Sequence, residues 1–143
     1  MNHRNVLILH PTGGWGGAER TTCNIAKALS CGGISTAVLT NENRFRTELG
    51  GSIHVEIASF NPWFDGGWKA IFSDLKKFIQ AIKCFKPRVV VGMMPYAAFL
   101  ASVARRFSPC SFIHVASPRG SCLNYLKNFL PSRGDRLRYR IFF

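Results

Sequence analysis

Apolar and polar positions alternate along this chain in two rhythms. Asn5 to His10 and Ile34 to Thr40 are short apolar runs that predict strands, and Arg88 to Met93 is a continuous one that predicts a strand buried on both faces. Ile53, Val55 and Ile57 alternate with polar neighbours, as in a strand near a sheet edge with one face buried, and Ser111 to Ala116 reads as a further strand. Helical spacing fills the intervals. Ala18 to Cys31 carries Ile25, Ala26 and Leu29 on one face and stops at Gly32-Gly33. Lys69 to Phe85 is the clearest helix, with Ile71, Leu75, Phe78, Ile82 and Phe85 spaced four and three apart, closed by Lys86-Pro87. Tyr96 to Phe107 is helical too, Asn61 to Trp68 is a loop rich in turn residues and aromatics, and the basic segment Asp135 to Phe143 starts like a helix. The alternation predicts an α/β fold: a Rossmann-like three-layer sandwich around a mostly parallel sheet with right-handed crossovers.

Ligands in such sheets bind beyond the carboxyl ends of the strands. There the first strand runs into Pro11-Thr12-Gly13-Gly14-Trp15-Gly16-Gly17 and then directly into a helix. Glycines let a backbone approach a ligand without Cβ clashes, and the following helix offers unpaired N–H groups to an anion. Two common phosphate loops do not fit. No lysine stands between Arg4 and Lys27, which excludes a P-loop. Gly14-Trp15-Gly16 begins a dinucleotide fingerprint, but Glu19 occupies its third glycine position; a nicotinamide cofactor is disfavoured, although Glu42 follows the second strand where such a site carries an acid. The plainer alternative is a flexible connection that binds nothing. Arg119, in Ser117-Pro118-Arg119-Gly120 after the last strand, is either a second anion ligand or a surface arginine bonding loop carbonyls. His114 reads as a core histidine, and His10 borders the loop without a favoured ligand role.

At 143 residues and 47% hydrophobic, the chain suffices for one α/β domain, 1–143. Its net charge of +12 is unevenly spread: thirteen basic residues from Lys76 onward face only Asp135. Such a half either attracts anionic surfaces or is merely a solvated basic face; without an RNA-module, zinc-finger or basic-zipper signature, a membrane face is preferred to nucleic acid as the partner. Five cysteines without Cys-x-x-Cys spacing read as reduced core thiols, with no metal site. The residues after Met1 fit no secretory leader. Val89 to Ala104, the longest uncharged stretch, is short for a membrane span and broken by Gly92 and Pro95. A cytoplasmic protein is expected, either free or peripheral on the inner face of the cell membrane.

The order strand, Gly13-Gly14-Trp15-Gly16-Gly17-Ala18-Glu19-Arg20, amphipathic helix, Gly-Gly, strand resembles the amino-terminal domain of the family 4 retaining glycosyltransferases, which have the two-domain GT-B architecture. Phe85-Lys86-Pro87-Arg88-Val89-Val90-Val91 is similar to their fourth-strand segment, with Arg88 where they carry aspartate, and Ser117-Pro118-Arg119-Gly120 resembles a segment of some members. The resemblance implies a cleft between two Rossmann-like domains, this one on the acceptor side. Gly13, Gly14, Gly16, Gly17, Glu19, Arg20 and Arg119 would be its substrate-binding residues, with no metal or bound cofactor. Glu19 and Arg20 would position the first helix, and backbone donors at Gly16 and Gly17 would help stabilise the leaving diphosphate. It further implies a nucleotide-sugar donor and a glycan or lipid-linked acceptor, as in surface polysaccharide synthesis. The nucleotide-sugar domain, with the family's paired glutamates, would lie beyond Phe143, so no catalytic residue is assigned and this chain alone is expected to be inactive. The competing expectation is a non-catalytic basic Rossmann-like binding module, or an inactive remnant.

Overall fold

The structure, a computed structural model, describes residues 5–12, 14–61 and 67–117. Strand and helix alternate through β1 (Asn5–His10), α1 (Gly17–Cys31), β2 (Ser35–Thr40), α2 (Arg44–Leu49), β3 (His54–Ile57), α3 (Gly67–Phe85), β4 (Val89–Met93), α4 (Pro95–Phe107) and β5 (Ile113–Ser117). The five strands form one parallel sheet in the order β3-β2-β1-β4-β5. Rossmann-like α/β topology is therefore observed, with β1 central and β3 at an edge.

Each strand of the centre serves two cores because successive side chains point to opposite faces. Leu7, Leu9 and Leu39 pack with Phe78, Ile82 and Leu100 on the face covered by α3 and α4. Ile8 and Val38 pack with Cys23, Ala26, Phe45 and Leu49 on the face covered by α1 and α2. Right-handed crossovers account for this division. The chain steps from β1 toward β3 over one face, and on reversing toward β4 and β5 it must use the other.

Two glycines have geometric jobs. Gly33, at φ +74°, ends α1 in a Schellman motif: Ile34 N–H donates to the Leu29 carbonyl and Gly33 N–H to that of Ser30, both at 3.0 Å. Gly92 in β4 lies directly under α4, where a Cβ would fall 2.7 Å from Ala98 Cα.

Several expectations need correction. The six-residue α2 was not foreseen, because two apolar residues, Phe45 and Leu49, are too few to show a period. In α1 the deepest positions are Glu19, Thr22, Cys23 and Ala26, while Ile25 and Leu29 are only half-buried. Gly67 and Trp68 open α3 instead of ending a loop. Among the described cysteines only Cys23 is a core thiol, pushed up in pKa by burial; Cys31 and Cys84 are exposed and Cys110 half-buried. His114 is half-buried rather than core. Gly13, Arg119, Cys122 and the Asp135 to Phe143 segment lie outside the described residues. Among the described residues, no helix is long and apolar enough to cross a membrane.

Candidate functional site

A crevice opens at the carboxyl edge of a parallel sheet where neighbouring strands send the chain to opposite faces. In this sheet that point lies between β1, which continues into α1, and β4, which continues into α4 on the other side. The glycine-rich segment after β1 forms one lip. The Met93-Met94-Pro95 turn forms the other.

Under the glycine lip sits a buried polar cluster. His10, the last residue of β1, is fully buried, with Nδ1 2.6 Å from Thr22 Oγ1 and Nε2 3.2 Å from Glu19 Oε1. Thr12 Oγ1 lies 2.5 Å from that same carboxylate oxygen and 2.6 Å from the Gly14 carbonyl, and it accepts the Gly14 N–H at 3.2 Å. Glu19 Oε2 accepts the Gly16 N–H at 2.7 Å. This is half of a capping box, since Gly16 has no side chain to return the bond. Burial pushes the Glu19 carboxyl up, but the Thr12 hydroxyl, the N–H groups of Glu19 and Gly16, and His10 outweigh it and hold the group below its ordinary range. An ionised Glu19 only accepts, so it assigns a proton to His10 Nε2; in the neutral ring Nδ1 then accepts from the Thr22 hydroxyl.

The lip is also tied sideways. Asn41, just after β2, accepts the Thr12 N–H and donates to the Thr12 carbonyl, both at 2.7 Å. Trp15 folds onto α2 with its ring 5.1 Å from Phe45, edge to face, and the Arg44 guanidinium 4.7 Å over it.

With its inner side so occupied, the loop presents glycines outward. Gly14, Gly16 and Gly17 are exposed, and a Cβ added at Gly14 or Gly17 would meet nothing within 4 Å. Neither has a positive φ. The fold itself would accept side chains at both positions. What their absence leaves is open space above the loop.

The opposite lip holds strain. Met94 has φ 75° and ψ 155°, a region that L residues seldom enter, at a cost of about 1–3 kcal/mol. Its carbonyl accepts the Ala98 N–H at 3.1 Å, starting α4, and Pro95 follows where a missing N–H costs nothing. Met94→Gly should relieve the strain, and after subtracting glycine's extra chain entropy the gain is about 1 kcal/mol, measurable by urea unfolding. An unchanged or lowered stability would mean that this turn is not strained.

The proposed substrate residues thus divide. Gly14, Gly16 and Gly17 come together on the outer side of the lip, Glu19 is buried below it, and Arg20 is exposed on the first turn of α1. Gly16's N–H, expected to face a diphosphate, is already bonded to Glu19, so that donor role is corrected. His10 is likewise shut away from any ligand. Sequence reading missed Thr12, Asn41, Arg44 and Met94. A hydroxyl residue before the glycines and an asparagine just after β2 were visible signals for the first two; the strain at Met94 had none.

No protein-family model matches the chain, and no curated protein matches it by sequence. Solved structures match its shape. A glycosyltransferase from Rickettsia africae ESF-5 has a TM-score of 0.62 at 20% identity, covering 89% of this chain and 33% of that one. The lipopolysaccharide outer core galactosyltransferase WaaB gives 0.64 at 17%, covering 94% and 37%. The fold matches one half of a GT-B glycosyltransferase. Anabaena HepE, solved in complex with UDP, gives 0.57 at 21%, covering 86% and 33%. At these identities the likeness is one of fold, and the chain spans about one third of the length of each of these three proteins.

Proposed function

We propose that this domain forms one side of a nucleotide-sugar transferase cleft, with the glycine lip turned toward the donor's diphosphate and a second Rossmann-like domain opposite. The reading rests on one observation above all: Gly14 and Gly17 are glycines that the fold does not require. Their lack of side chains serves something outside the domain. A diphosphate fits, because the N–H groups of Gly17 and Ala18, which open α1, have no acceptors within the helix and the dipole favours negative charge there. The UDP in the HepE structure supports a uridine nucleotide as the first probe. Sugar transfer would require the second domain's groups; this side would hold the acceptor, a glycan or a lipid-linked sugar, and brace the leaving group.

Substitution separates a binding role from a folding role. Gly17→Ala replaces glycine inside the first helical turn and should raise stability by about 0.5–1 kcal/mol, while Gly14→Ala should stay within about 0.5 kcal/mol of the parent. In ¹⁵N spectra, UDP should saturably shift the amides of Gly14, Gly17 and Ala18, each alanine should weaken that response several-fold, and NADH should leave it absent. UDP shifts that are missing, or unaffected by either alanine, would overturn the reading.

A further inference from the structure

The opposite, amino edge of the sheet carries a second set of groups that the cleft does not use. Ser102, Arg105 and Arg106 project from the second half of α4, and His114 stands near the start of β5, paired in register with Val90 on the α4 side of the sheet. Together they line a cavity of about 420 Å³, within the size range of small-molecule sites. Ser102 Oγ lies 3.3 Å from His114 Nδ1. His114 Nε2 is buried and has no hydrogen-bond partner among the described residues.

A buried polar atom without a partner costs about 1–3 kcal/mol, so its persistence calls for an explanation. Burial, and then the Arg105 guanidinium, push the His114 ring below the usual imidazole range, so it is neutral at physiological pH. The neutral ring carries one proton, and the bond to Ser102 Oγ is compatible with either tautomer, because a hydroxyl both donates and accepts. Among the described residues, the cavity brings two guanidiniums, the Ser102 hydroxyl and the His114 ring together, with no carboxylate. Its surroundings have the same sign: Lys83 ends α3, Lys86 and Arg88 precede β4, and no acidic residue occurs between Lys76 and Ser117.

We infer that Ser102, Arg105, Arg106 and His114 form a phosphate-binding site at the amino edge of the sheet, distinct from the glycine lip. The two arginines supply planar, two-pronged donors suited to phosphate oxygens, and the Ser102 hydroxyl and the His114 ring line the same cavity. The group carrying the phosphate is either a soluble ester or a lipid headgroup. The neighbouring Phe107, 70% exposed at the end of α4, gives the lipid source a physical basis.

The test uses the full chain and two probes. Inorganic phosphate, titrated at constant ionic strength, should saturably shift the His114 imidazole resonances and leave the amides of Gly14 and Gly17 unmoved, which separates this site from the cleft. R105A/R106A, at exposed positions that preserve the circular dichroism spectrum, should weaken the response at least tenfold. K83A/K86A should weaken it less than twofold. Vesicles of phosphatidylcholine with phosphatidic acid then distinguish the sources: retention that inorganic phosphate competes away assigns a lipid headgroup, and no retention alongside saturable phosphate binding assigns a soluble ester. A linear, unsaturable shift, or equal losses in the arginine and lysine variants, would reduce the site to diffuse charge and overturn the inference.

Discussion

Glu19→Ala should destabilise the domain by about 2–4 kcal/mol, because it removes the acceptor of several polar groups, each costing about 1–3 kcal/mol when buried without a partner. The carboxylate accepts from the Gly16 N–H, contacts the buried Thr12 hydroxyl and faces the buried His10 Nε2, so alanine takes this acceptor from all three. Urea unfolding at neutral pH measures the loss; a change below about 1 kcal/mol would show that the cluster relaxes onto water without penalty. Acid gives an independent check. The Glu19 carboxyl titrates below its ordinary 4.5 in the folded state. In acid the unfolded chain therefore takes up this proton first. The contribution of Glu19 is complete above about 4.5 and disappears as pH falls through the folded value. Glu19→Gln should flatten that part of the stability profile. A profile as steep as the parent's would assign the acid sensitivity to other groups.

Gly92→Ala should cost about 3 kcal/mol or more, the upper end for overpacking a core. The new Cβ would lie 2.7 Å from Ala98 Cα, 2.8 Å from Ala98 N and 2.9 Å from the Ala97 carbonyl carbon. All three are backbone atoms, so no rotamer change relieves them. α4 would have to lift away from β4, yet Ala97, Ala98, Leu100 and Ala101 are all fully buried. Thermal unfolding should show a large drop in midpoint, while Gly14→Ala, with open space around it, shows almost none. Similar midpoints for the two variants would mean that α4 does not sit this close to the sheet.

The contrast between Gly92 and Gly14 also shows what could be read from the chain and what could not. Strands β1, β2 and β4 and helices α1, α3 and α4 follow from local periodicity, because a buried face is written into consecutive residues. The site was half legible. Glycines between a strand and a helix announce a loop that tolerates close approach, but which glycine serves packing and which serves a ligand depends on atoms distant in sequence. Glu19 carried an ambiguous signal: three residues after Gly16 it reads equally as a ligand or as a cap, and only the fold brings Thr12 and His10 onto its oxygens. His114 and Arg105 are nine residues apart, and no periodicity would join them.

The tethering of the glycine lip has a consequence for how it would bind. Thr12 is fastened to Asn41 through both of its backbone groups, Gly16 is fastened to Glu19, and Trp15 is packed against Phe45 beneath Arg44. The conformational freedom of these residues is therefore surrendered during folding, before any ligand arrives. A partner meeting this loop encounters a finished shape, and little of its binding energy is diverted into ordering the protein. Association should then resemble a key entering a cut lock, with selectivity residing in the fit of the ligand to a rigid rim.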